Sequence, residues 1–152
     1  MPRTLPHIDG FDISFAWKPA RTVGGDYCDV LKFNDRHTAL CVADVAGKGM
    51  PAALLMSNVQ AVLKSIASDA VPPGELCARV NRVMCENIVS HRFITCFYAL
   101  LDTQTKVLSY SNAGHCPPML IRGGDCTRMK EGGCSYEARQ GAVLGFSATL
   151  DL

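Results

Sequence analysis

Apolar and polar positions alternate in several short runs, switch to a helical period, and then alternate again. Asp12 to Lys18 (DISFAWK) alternates and predicts a first strand, ended by Pro19. Asp26 to Phe33 and His37 to Val45 are two further strands. The turn-rich break Asn34-Asp35-Arg36 between them predicts a β-hairpin. From Met50 the period lengthens, and Leu54, Leu55, Asn58, Val59, Val62, Leu63 and Ile66 line one face of a helix running to about Ser68. Pro51 suits its first turn, where a missing N–H costs nothing. Pro72-Pro73-Gly74 punctuates the chain. A second helix follows from about Gly74 to Ser90, with Leu76, Val80, Val83, Met84 and Ile88 on its apolar side.

Strands then return. Phe93 to Asp102 reads as a long buried strand, Lys106 to Ser111 as its hairpin partner, and Pro118 to Arg122 as a short strand after the corner Asn112-Ala113-Gly114-His115. Residues 126–140 are polar and carry no clear period, and Gly141 to Phe146 predicts one more short strand. Strands, two helices, then strands predict an α+β domain whose helices cover an antiparallel sheet.

Composition narrows the class. A chain of 152 residues predicts one domain. Lys plus Arg total 15 and Asp plus Glu 14, a formal net charge of +1 that excludes a chain built on nonspecific nucleic-acid electrostatics. At 48% hydrophobic and 19% charged residues, the chain has the apolar content that disordered segments lack. The apolar runs Ala39 to Ala43 and Cys96 to Leu101 fall far short of the ~18 residues of a membrane span. The start MPRTLPHIDG has no signal-peptide core, so a cytoplasmic location is expected. Eight cysteines form neither a CxxC pair nor a zinc-finger spacing, and several sit in apolar runs, as reduced core thiols do.

Chemistry concentrates between Arg21 and Met56. Asp26 and Asp44 stand 18 residues apart, each nine from residue 35 at the middle of the turn. The hairpin therefore brings both carboxylates to one end as cross-strand neighbours. Opposed like charges are destabilising there, and a hard divalent cation would remove the penalty. Acidic residues at strand ends are also commonly just solvated, and the spacing alone leaves both readings open. Gly24 and Gly25 fit simple turn positions, and Gly47-Lys48-Gly49 lacks the spacing and the Ser/Thr of a Walker loop. Cys116 to Arg122 has the CxxxxxR spacing of a cysteine phosphatase, but its PPMLI interior lacks glycine.

Five blocks together carry a resemblance: VGGDYCD, ADVAGKGMPAALLM, FITCFYALLD, SNAGHCPPML and AVLGF. In order and spacing the chain resembles the SpoIIE/RsbU-like bacterial branch of the metal-dependent, PPM-type protein phosphatases. The resemblance implies an α-β-β-α sandwich spanning residues 1–152 as one domain, with a binuclear Mn²⁺ or Mg²⁺ centre at one edge. Asp26 and Asp44 match acidic metal ligands, and Val45 matches a position whose backbone carbonyl is a ligand. Gly47, Lys48 and Gly49, with the helix behind them, match a substrate-facing regulatory switch segment. Asn112 and His115 match a structural corner beside the site. Cys28 stands where the family usually has an aromatic, and neither it nor Cys116 is expected to bind metal.

The implied activity is hydrolysis of phosphoserine or phosphothreonine by a water that two cations activate, with no protein nucleophile. The implied substrate is a phosphorylated, STAS-like anti-sigma-factor antagonist. In the resembled family a later strand ending in Asp-Gly supplies another carboxylate, and more strand and helix follow. The expectation is a sandwich lacking these C-terminal parts, with an exposed edge that invites a dimer. The competing expectation is a non-catalytic partner-binding module, or an inactive fragment with an incomplete metal site.

Overall fold

A computed structural model describes residues 4–16, 24–86, 92–129, 132–137 and 143–145. Strands β1 (Tyr27–Lys32) and β2 (His37–Val45) form the hairpin. Helices α1 (Met50–Ile66) and α2 (Pro73–Cys85) follow, then β3 (Ile94–Asp102), β4 (Val107–Ala113), β5 (Met119–Arg122), β6 (Asp125–Arg128), β7 (Gly132–Glu137) and β8 (Val143–Gly145). The large sheet has the order β1-β2-β3-β4-β7 and the small one β6-β5-β8, with every pairing antiparallel.

The alternation of strand side chains divides the core. Ala39, Cys41, Ala43 and Val45 of β2 and Tyr98 of β3 pack with Ala52, Met56, Val59 and Leu63 of α1 and Leu76 and Met84 of α2. The intervening residues Phe97, Ala99 and Leu101 face the other way, into a second cluster with Leu108, Tyr110, Met129 and Leu120 of β5. The layers are helices, large sheet and small sheet. Two helices occur among the described residues, both on the same side of the large sheet.

Several expectations change. Asp12 to Ala16 form no strand, and Trp17 and Lys18 lie outside the described residues. The chain turns back at Ile8–Phe11, and no neighbouring strand pairs with Asp12 to Ala16, so alternation there has no ladder to serve. The buried stripe of α1 is Ala52-Met56-Val59-Leu63. Leu54 is 61% exposed and Asn58 is also exposed, while Leu55, Val62 and Ile66 pack against the core beside that stripe. Helix α1 ends at Ile66 rather than Ser68, where Ala67 becomes extended. Helix α2 is described to Cys85, and Ile88 lies outside the described residues. Residues 126–140, unplaced by period, contribute most of β6 and all of β7.

The seven described cysteine side chains are free. Cys41 and Cys96 approach to 3.9 Å between Sγ atoms, a thiol–thiol hydrogen bond rather than a disulfide. Among the described residues, no helix is long and apolar enough to cross a membrane.

A buried charge ties α1 to the hairpin. The Asp29 carboxylate accepts from Tyr27 Oη at 2.8 Å, from the Val30 amide at 3.0 Å and from Lys64 Nζ at 2.6 Å. Burial alone would raise the Asp29 pKa. The bonds from Lys64 and Tyr27 outweigh it and hold the carboxyl below its ordinary value. Its stabilising contribution is therefore present above the ordinary carboxylate range and lost on acidification. Lys64→Met strands a buried carboxylate. We expect a loss of about 2 kcal/mol, below the roughly 3–5 kcal/mol of a fully buried pair because Lys64 is partly exposed. Urea unfolding checks this, and the deficit should shrink as the pH falls.

Candidate metal centre

The hairpin register makes the site. Tyr27 pairs with Ala43, and the Val45 amide donates to the Gly25 carbonyl at 3.2 Å, so the position between them sets Asp26 opposite Asp44. The strand-end counting that equated the two carboxylates holds. They come within hydrogen-bonding reach of each other. The Asp44 pKa is raised, first by burial and then by the adjacent Asp26 charge, with the Val45 amide opposing both.

Gly25 is what allows this closeness. A Cβ placed there would meet the Val45 carbonyl oxygen at 2.8 Å, Val45 Cβ at 3.1 Å and Asp44 Oδ1 at 3.3 Å. Gly25 is thus a point of close backbone approach, not merely a turn residue. The missing side chain leaves a cradle bordered by a carbonyl and a carboxylate oxygen.

The row continues across the sheet, because Asp44 pairs with Thr95 on β3. Thr95 Oγ1 lies 2.9 Å from His115 Nδ1. The corner that carries His115 is held by two reciprocal bonds: its amide donates to Asn112 Oδ1 at 2.8 Å, and Asn112 Nδ2 donates to its carbonyl at 3.0 Å. Gly114 turns the chain with φ 71° and bridges to Cys96. Asn112 and His115 are buried. Burial lowers the His115 pKa, and the Asp26 charge partly restores it. Thr95 gave no signal in the sequence. Only the β2–β3 register, which spans both helices, reveals its place.

Gly47 and Gly49 adopt positive φ, 121° and 74°, in the loop leaving β2, and Lys48 is exposed between them. Gly49 caps α1 through its carbonyl, which accepts the Ala53 amide at 3.1 Å. Met119 to Arg122 are extended as β5, so the Cys116–Arg122 segment is not a phosphate-cradling loop.

The donors suit a hard cation. Two carboxylates and a backbone carbonyl offer oxygen donors, and like charges forced together would gain most from a cation between them. Among the described residues, no group of three His, Cys, Asp or Glu side chains converges as a metal cage.

The family model for Stage II sporulation protein E (SpoIIE) matches residues 34–152. The chain belongs to the SpoIIE family. This SpoIIE-family chain is 33% identical over 147 residues to phosphoserine phosphatase RsbU of Bacillus subtilis (strain 168), covering 97% of this chain and 42% of RsbU. It therefore spans less than half the length of that relative. The solved RsbU and RsbW domains of Rv1364c from Mycobacterium tuberculosis superpose with a TM-score of 0.73 at 24% identity, covering 84% of this chain and 40% of that one. The SiaA-PP2C domain of Pseudomonas aeruginosa gives 0.75 at 17% identity, covering 85% and 57%. The fold is that of PP2C-type phosphatase domains.

Proposed function

We propose that this chain carries the cation-binding part of a serine/threonine protein phosphatase. The observation that supports it is the abutment of Asp26 and Asp44 beside the Val45 carbonyl, in a chain of the SpoIIE family. Asp26, Asp44 and the Val45 carbonyl would hold two Mn²⁺ or Mg²⁺ ions. Bound there, the cations would offset charge on a phosphoryl group and acidify a water for attack on phosphorus.

The protein's own part is placement. The Gly25–Val45 backbone pairing keeps the carboxylates at one depth, and the positive-φ glycines let the β2–α1 loop turn away beside them. Gly47, Lys48 and Gly49 would face the phosphoprotein, with exposed Lys48 attracting the phosphate. By likeness to phosphoserine phosphatase RsbU, the substrate class is a phosphoserine or phosphothreonine protein. A phosphorylated, STAS-like anti-sigma antagonist is the reading we favour within it.

Phosphate release from a phosphoserine peptide should vanish in EDTA and return with added Mn²⁺ or Mg²⁺. Turnover that persists without divalent cation overturns the reading. A second reading, cation and partner binding without turnover, is favoured by the absence of a third acidic side chain at the described site. It is distinguished by Mn²⁺ binding with no phosphate release.

A further inference from the structure

The carboxylate buried under α1 stands on the segment that carries Asp26. Asp29 is 3% exposed, and both its oxygens are engaged. Oδ2 accepts from Lys64 Nζ at 2.6 Å and from Tyr27 Oη at 2.8 Å, and Oδ1 accepts from the Val30 amide at 3.0 Å. An apolar side chain could fill this place without the desolvation that a carboxylate suffers. What a buried charge pair adds is geometry, and fixing a register is its best-attested use.

Strand β1 has reason to need fixing. It is the outer strand of the large sheet, with β2 its one strand neighbour among the described residues. The Val45–Gly25 and Phe33–His37 backbone bonds turn the odd-numbered residues of this segment toward β2. The Val30 amide therefore points to the outer edge, where the Asp29 carboxylate takes the place of a neighbouring strand. By the same alternation, Asp26 and Asp44 face each other with no backbone bond between them, and like charges there push the strands apart. Helix α1 spans this weak point. Its buried face, down to Leu63, packs on β2, and the next residue, Lys64, reaches across to Asp29 on β1. A one-residue shift of β1 would turn Asp29 away from Lys64 and take Asp26 from Asp44. One register satisfies both pairs.

We propose that Lys64 is a positioning residue for the acidic pair: by clasping Asp29 with Tyr27, it holds β1 where Asp26 stands opposite Asp44. This rests on the cation-site reading above. It fits the general pattern in which groups behind metal ligands orient them.

Two measurements test it, both at a temperature where every variant is fully folded. The first needs no metal. In the cation-free chain, the nuclear Overhauser contact between the Cα hydrogens of Asp26 and Asp44 should weaken in Lys64→Met, while that of Lys32 and Thr38, the pair beside the turn, should persist. A full-strength Asp26–Asp44 contact in Lys64→Met overturns the proposal. The second is Mn²⁺ titration, followed by the electron paramagnetic resonance of free Mn²⁺. Lys64→Met should bind about tenfold more weakly than the unmodified chain. Lys64→Arg should bind close to it, because a guanidinium can also reach Asp29. Unchanged binding in Lys64→Met, or equal losses in both variants, overturns the positioning role. Asp44→Asn separates the two ideas. If it binds Mn²⁺ as tightly as the unmodified chain, the cation site itself is wrong. If it binds weakly while Lys64→Met does not, only the role of Lys64 falls.

Discussion

Asp44→Asn is expected to cut cation-dependent phosphate release by at least about a hundredfold, the upper end of what losing a mere outer-shell partner costs. Asparagine keeps the shape and one oxygen but removes the charge that would hold a divalent ion beside Asp26. The same substitution should stabilise the cation-free fold. Burial and the neighbouring Asp26 raise the Asp44 pKa, so the folded chain takes up a proton that the unfolded chain has already released. Stability without metal therefore falls as the pH rises from the ordinary carboxylate value through the raised one. The asparagine variant lacks this loss. In EDTA it should melt above the unmodified chain at neutral pH, and the gap should close on acidification. Added Mn²⁺ should reverse the order, since only the unmodified chain gains binding energy. A variant that keeps full activity, or that melts lower in EDTA at neutral pH, contradicts the assignment of the pair.

How much of this was legible depended on how local the determining interaction is. The Asp26–Asp44 pairing could be counted from the turn, because a tight hairpin fixes its register through Asn34 to Arg36, and the ladder keeps that register to Gly25 and Val45. The family blocks pointed to the same two residues. Thr95 could not be counted. Its place opposite Asp44 is set by strands separated by two helices, and no local spacing encodes it. On α1 the period places Leu55, Val59, Val62, Leu63 and Ile66 on the core face, but Met50 to Met56 is apolar almost throughout, so period alone does not choose Ala52 over Leu54 at its start. The close approach to the sheet that favours a small side chain is a tertiary fact. Asp12 to Ala16 show the converse: alternation without a neighbouring strand makes no strand. Polar residues 126–140 hid β6 and β7, whose pairing with β5 and β4 leaves little hydrophobic signal in the sequence.

Gly25→Ala should be the most damaging single-methyl change near the site, and Gly24→Ala should be nearly silent. The two glycines are adjacent and look alike in the sequence. A methyl on Gly24 would come no nearer than 4.0 Å to Asp26. On Gly25 it would sit 2.8 Å from the Val45 carbonyl oxygen and 3.3 Å from Asp44 Oδ1. Neither side can yield cheaply. The Val45 oxygen is backbone, Val45 is 1% exposed in the core, and its amide is bonded to Gly25 itself. Gly25 is not among the positive-φ glycines, so the cost is steric rather than conformational. The strand entering β1 must move off β2, which breaks the Val45–Gly25 bond and separates Asp26 from Asp44. We expect a stability loss of roughly 1–3 kcal/mol, the usual range for overpacking. Cation affinity should fall with it, because the ligands are displaced rather than removed. Urea unfolding and Mn²⁺ titration of both variants measure the two effects together. If the two alanine variants behave alike, the carboxylates do not owe their closeness to Gly25. If only Gly25→Ala loses affinity, the missing side chain is what lets the hairpin bring two like charges within reach of one cation site.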